Sequence, residues 1–168
     1  MKTKSELIAD LNALVGAVGD KLRSDGEEGD AERDFMAARC PERLRDGVRT
    51  LPTLSMHLLA VIAEGPVSVV GLASRSGQLK GTVSKHVQRL VEAGLVSRSP
   101  VPGNRKELEL SLTADGELLD RVHRELHDEM AAGLHDFLAR YTNAELTVLT
   151  KVLGDLLATR KEGVRLVP

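Results

Sequence analysis

The sequence predicts a mainly α-helical protein with one small β-wing, and three observations predict it. Apolar residues recur at helical spacing over most of the 168 residues. Between positions 51 and 94, glycine and proline cut that rhythm into short pieces. From Leu95 to Leu112 it gives way to two strand-like runs around Val101-Pro102-Gly103-Asn104, a turn sequence.

Each element has a local reason. Leu7, Ile8, Leu11, Leu14, Val15, Val18 and Leu22 give a helix over 5–22, which the glycine and acids of 24–30 break. Residues 31–47 hold many arginines and acids and few apolar residues, so they read as a loop with one short helix. Leu51-Pro52-Thr53 opens a helix with Leu54, Leu58, Leu59, Val61 and Ile62 inward, and Gly65-Pro66 stops it. Ser68 is placed to cap a short helix Val69–Ser76 that ends at Gly77. A second short helix starts at Leu79 or Lys80, turns Val83, Val87, Leu90 and Val91 inward, and closes at Ala93-Gly94. Strands are expected at Leu95–Ser99 and Glu107–Leu112. Thr113 caps a long helix to about Tyr141, and Thr142-Asn143-Ala144-Glu145 has the capping-box pattern that opens the last one.

Composition narrows the function classes. Hydrophobic residues make 42% and charged residues 29%, as in an ordinary folded protein that can bury a core without staples. The aromatic residues are Phe35, Phe137 and Tyr141, too few for a base-stacking surface on single strands. One cysteine, Cys40, allows neither an intramolecular disulfide nor a CxxC metal knuckle. No apolar run nears the roughly 18–20 residues of a membrane span, and no signal-peptide block is seen. A cytoplasmic protein without a membrane partner is expected. No Gly-rich phosphate loop, nucleophile elbow or HExxH supports an enzyme, and Ser84 beside Lys85 and His86 is a weak match to any hydrolase.

Charge is unevenly spread. The formal net charge is −2, yet residues 66–106 carry Arg75, Lys80, Lys85, Arg89, Arg98, Arg105 and Lys106 against the single acid Glu92. That window is net +6 and the remainder −8, which suggests one face for an anionic partner. Helix, short helix, short helix and hairpin over 53–112 make a winged helix-turn-helix. Its second short helix fits the major groove, and its hairpin reaches the neighbouring backbone or minor groove.

The residues go further. Gly71-Leu72-Ala73-Ser74-Arg75-Ser76-Gly77-Gln78-Leu79-Lys80-Gly81-Thr82-Val83-Ser84-Lys85 resembles the recognition unit of the MarR family of bacterial transcription regulators. Leu90-Val91-Glu92-Ala93-Gly94-Leu95-Val96 resembles that family's passage from recognition helix to wing. Asn104 through Gly116 resembles its wing return and the Leu-Thr-x-x-Gly start of the next helix, with Asn104-Arg105-Lys106 where the family usually has Asp-Arg-Arg. The likeness covers about residues 50–120. It implies a single MarR-like domain over 1–168, with the winged helix at 50–112 and dimerisation helices at 1–22 and 113–161. It also implies a homodimeric, sequence-specific regulator of double-stranded DNA, expected to repress from a pseudo-palindromic operator and to answer to a small-molecule or metal effector. The alternative is a winged-helix adaptor that binds proteins and not DNA.

Site residues follow from position. Lys85 and Gln88 are expected to read base edges, beside Gln78 and Lys80 at the start of the recognition helix. Ser68, Thr82, Ser84, Arg75, Arg89 and Arg98 suit phosphates, and Arg105 with Lys106 would sit on the wing. His123 and His127 are four apart on the long helix, so one face presents both and could grip one metal ion. Zinc-sensing MarR-family repressors carry histidines at these two positions and at that of His57, which makes Zn a candidate effector, although the family needs no cofactor. Those repressors draw a further ligand from the segment before the second helix, where this chain offers Asp34 and Cys40. Met56 stands where they have an acid, so a second metal site is not expected. Otherwise the histidines are solvated or line a small-molecule cleft.

Overall fold

The computed structural model describes residues 2–23, 27–101, 104–162 and 165–167. Their order is α1 (Lys4–Arg23), α2 (Glu27–Arg39), α3 (Glu42–Thr50), α4 (Thr53–Ala63), α5 (Val69–Ser76) and α6 (Lys80–Glu92). Then come β1 (Val96–Val101), β2 (Asn104–Leu112), α7 (Ala114–Leu138), α8 (Asn143–Ala158), β3 (Arg160–Glu162) and β4 (Arg165–Val167). The chain divides into two compact units, residues 1–126 and 127–168, and the boundary falls inside α7. No described helix is long and apolar enough to cross a membrane.

The first unit holds the core. Leu58, Leu59 and Ile62 of α4, Leu72 of α5, and Val83, Val87 and Leu90 of α6 are buried together with Leu95, Leu110 and Leu119. Strands β1 and β2 pair antiparallel from Val96↔Leu112 to Pro100↔Leu108, with an irregularity between Pro100 and Val101. Val67 adds a bridge to Leu110, so the connection between α4 and α5 is tied to the wing. This is the expected mainly α architecture with a winged helix-turn-helix and a small antiparallel sheet.

Local chemistry sets the boundaries. Ser68 Oγ accepts the Gly71 N–H at 3.1 Å and caps α5. Gly77 and Gly94 adopt φ of 65° and 71°, a left-handed conformation that spares a side chain where each short helix must stop. Thr142 and Glu145 complete a capping box on α8. The turn expected at 101–104 includes residues 102–103, which lie outside the described residues, as do 24–26 of the expected break after α1.

Three readings need correction. Residues 31–47 are not chiefly loop: they lie in α2 and α3, which bury Met36, Ala37, Cys40, Leu44 and Val48. Met36, Cys40, Leu44 and Val48 fall every four residues, a sparse apolar row that the surrounding charges obscure. The long helix stops at Leu138 rather than near Tyr141, and a β3–β4 hairpin follows α8 where no strand was foreseen.

Thr113 and Gly116 join the wing to α7. The Thr113 hydroxyl donates to the Gly94 carbonyl at 2.7 Å and accepts the Gly116 N–H at 3.1 Å, while the Thr113 N–H donates to Leu95 O at 3.0 Å. A Cβ at Gly116 would stand 2.0 Å from the Leu95 carbonyl oxygen, which is backbone and cannot step aside. Gly116→Ala should therefore cost about 1–3 kcal/mol by overpacking, read as a melting midpoint lower by about 3–10 °C. An unchanged midpoint would mean that α7 can shift off the strand freely.

Candidate nucleic-acid interface and histidine cluster

Helix α6 is held by its inner row. Val83, Val87 and Leu90 are each fully buried, which fixes the rotation of the helix about its axis. The opposite side is then obliged to face solvent. Lys80, Ser84, Lys85, Gln88 and Arg89 are exposed there and Thr82 is half-buried. Gln78 is exposed just ahead of the helix, and Arg98 is exposed on β1. The residues of α6 expected to meet DNA thus lie on its solvent side, over an apolar inner row.

Several of them already have partners. The Arg75 guanidinium pairs with Glu64. The Gln88 amide donates to Glu92 at 2.8 Å. Ser68 spends its oxygen on the α5 cap. Arg105 and Lys106 stand at the start of β2, and their side chains lie outside the described residues.

One buried contact joins α4 to α6. Ser55 is fully buried, and its Oγ lies 2.8 Å from His86 Nδ1. In the neutral imidazole with its proton on Nε2, Nδ1 accepts the serine hydroxyl. The sequence carries no signal for this pair, because its members are 31 residues apart with helix α5 between them.

The three singled-out histidines come together. Among the described residues, one ligand atom from each of His57, His123 and His127 lies within 4.8 Å of the other two. The rings of His57 and His123 are 5.8 Å apart and tilted by 44°. His123 is buried, His57 and His127 are exposed, and the unbroken turn of α7 sets the spacing of His123 and His127. Three imidazoles form a donor set that suits Zn²⁺. Asp34 and Cys40 stand apart from this cluster. Asp34 pairs with Arg49 at 2.6 Å. Cys40 is buried in the core, and that burial raises its thiol above the usual value, which disfavours the thiolate a metal needs.

Fold and surface together define a winged helix-turn-helix. Residues 50–107 match the model of the MarR family. The chain is 28% identical over 107 residues to the HTH-type transcriptional regulator YhjH of Bacillus subtilis, covering 63% of this chain and 61% of YhjH. It spans less than two thirds of the length of the curated relatives it matches. Among solved structures it is similar to Streptococcus pneumoniae FabT in complex with DNA, with a TM-score of 0.64, 20% identity, and coverage of 89% of this chain and 94% of FabT. The adhesin competence repressor AdcR of Streptococcus pyogenes is similar with a TM-score of 0.60 and 16% identity, over 90% of this chain and 96% of AdcR. At these identities the likeness is one of fold.

The Ser55–His86 contact makes stability depend on pH. Burial first, and Arg89 second, hold the His86 imidazole below its ordinary value of 6.5. A depressed histidine contributes stability above its unfolded-state value and loses it as pH falls through the folded one. The melting midpoint should therefore decline as pH drops below about 6.5, and less steeply in His86→Gln. Identical slopes for the two proteins between about pH 7 and 5 would remove His86 from the account.

Proposed function

We propose that the chain is a transcriptional repressor of the MarR family that binds double-stranded DNA as a homodimer and answers to zinc. The observation that carries this reading is α6, whose rotation is locked by three buried residues so that Lys80, Ser84, Lys85 and Gln88 face outward together. A helix so placed enters the major groove, where lysine suits guanine and glutamine suits adenine. Arg89 and Arg98 would bind phosphates, as would Arg75 after leaving Glu64. The names of YhjH as a transcriptional regulator, FabT as a DNA complex and AdcR as a repressor point the same way.

Exposed apolar rows support the dimer. Helix α1 leaves Leu7, Ile8, Leu11, Leu14, Val15 and Val18 about half exposed. In the second unit, Met130, Leu134, Phe137, Leu149, Val152 and Leu153 are exposed likewise. Rows this wide mark an association surface, and two recognition helices about 34 Å apart would then meet successive major grooves. The test is duplex binding measured across a salt series. Affinity should fall steeply with salt at two chains per duplex, and Lys85→Ala with Gln88→Ala should cost specificity more than affinity for random DNA. No binding at low salt would favour a protein adaptor.

The histidine cluster is the control site in this reading. His57 lies on α4 and His123 and His127 on α7, so an ion held by all three would fix α4 against α7 and bias the molecule toward one DNA-binding geometry. Zinc titration should show tight uptake by the wild type and a loss of at least about tenfold in His57→Ala and in His123→Ala. Equal weak uptake in all three, with chelator leaving DNA binding unchanged, would remove zinc from the mechanism.

A further inference from the structure

We infer that Leu79 reads the 5-methyl group of a thymine at the edge of each half-site, a specificity contact that rests on the DNA-binding reading above. Leu79 is the residue just before α6, where a helix normally carries serine, threonine, aspartate or asparagine to hold its first free N–H groups. Four other helices of this chain follow that rule, with Thr3 serving α1, Ser68 α5, Thr113 α7 and Thr142 α8, while α3 and α4 open on the prolines Pro41 and Pro52 without a side-chain cap. At α6 no side chain caps the helix.

The leucine is not repaid by the core. It stands four residues before Val83, in phase with the buried row, yet its extended backbone, with φ −65° and ψ 136°, carries it off the helix. Leu79 is 79% exposed, while Val83, Val87 and Leu90 are at 0%. Its chain neighbours Gln78, Lys80 and Gly81 are exposed too, so the site is open on the side from which DNA would approach. Helix-turn-helix proteins meet base edges with the N-terminal residues of this helix. The apolar group that a major groove offers there is the thymine methyl, which distinguishes A·T from G·C by contact alone. Gly81, two positions on, places no side chain on the exposed flank of the first turn.

The test uses a duplex selected by the full-length protein from random sequence, with each thymine of one half-site replaced in turn by deoxyuridine. This exchange removes one methyl and leaves every hydrogen-bonding group in place. At one position the wild type should lose about fourfold in affinity, the effect of one buried methyl. Leu79→Ser should bind the thymine duplex more weakly by a similar factor and show no difference between thymine and deoxyuridine. Its melting midpoint should hold or rise, since serine restores the missing cap, and this separates lost contact from lost folding. Discrimination that survives in Leu79→Ser, or a wild type indifferent to every replacement, would overturn the role of Leu79 alone. A selection that retains no duplex would overturn the DNA-binding reading together with it.

Discussion

The packing of α6 on α4 is the constraint on which the rest depends. Val83, Val87 and Leu90 admit no solvent, and Leu58 and Leu59 of α4 are buried in the same core. Because the inner row is filled, α6 has one rotational setting, and the choice of outward residues follows from it. A methylene lost from this row would loosen the aim of every polar group on the far side. Surface residues of α6 are therefore free of the packing constraint that holds its inner residues.

Helix α4 serves more than the core. Ser55, on its buried side, touches His86 of α6, and His57, two residues later, belongs to the histidine cluster with His123. Two residues advance a helix by about 200°, so these positions face nearly opposite ways. One helix of eleven residues thus meets α6 on one side and α7 on the other. A small change in the setting of α4, made at His57, would be felt at His86 without any flexible segment between them.

The winged half was legible in the sequence because its punctuation is local. Ser68, Gly77, Gly94 and Thr113 act within a few residues of where they stand, and the boundaries they predict agree with the helices observed. Gly116 looked like a motif letter, and its reason, a carbonyl within 2.0 Å of any Cβ, needed coordinates. Residues 31–47 misled because burial there rests on one apolar residue per turn among arginines and acids, too few to outweigh the charge. The His57, His123 and His127 set was visible in part from i,i+4 spacing, whereas the Ser55–His86 contact depends on tertiary packing alone. The exposure of Leu79 was equally hidden, since its phase matches the buried row.

Charge placement adds a last constraint. A winged helix with a net charge of +6 between residues 66 and 106 would bind any duplex if the rest of the chain were neutral. The remaining residues carry −8 and bring the chain to −2. Acids also sit within the surface itself: Glu64 holds Arg75 and Glu92 holds Gln88. In the proposed DNA complex each of these bonds would be exchanged for one to DNA, so contacts made only to phosphate would gain less than their charge suggests. Correct base contacts return what the exchange removes, and incorrect ones do not. In the proposed function the arrangement would lower affinity for arbitrary DNA more than for the right site.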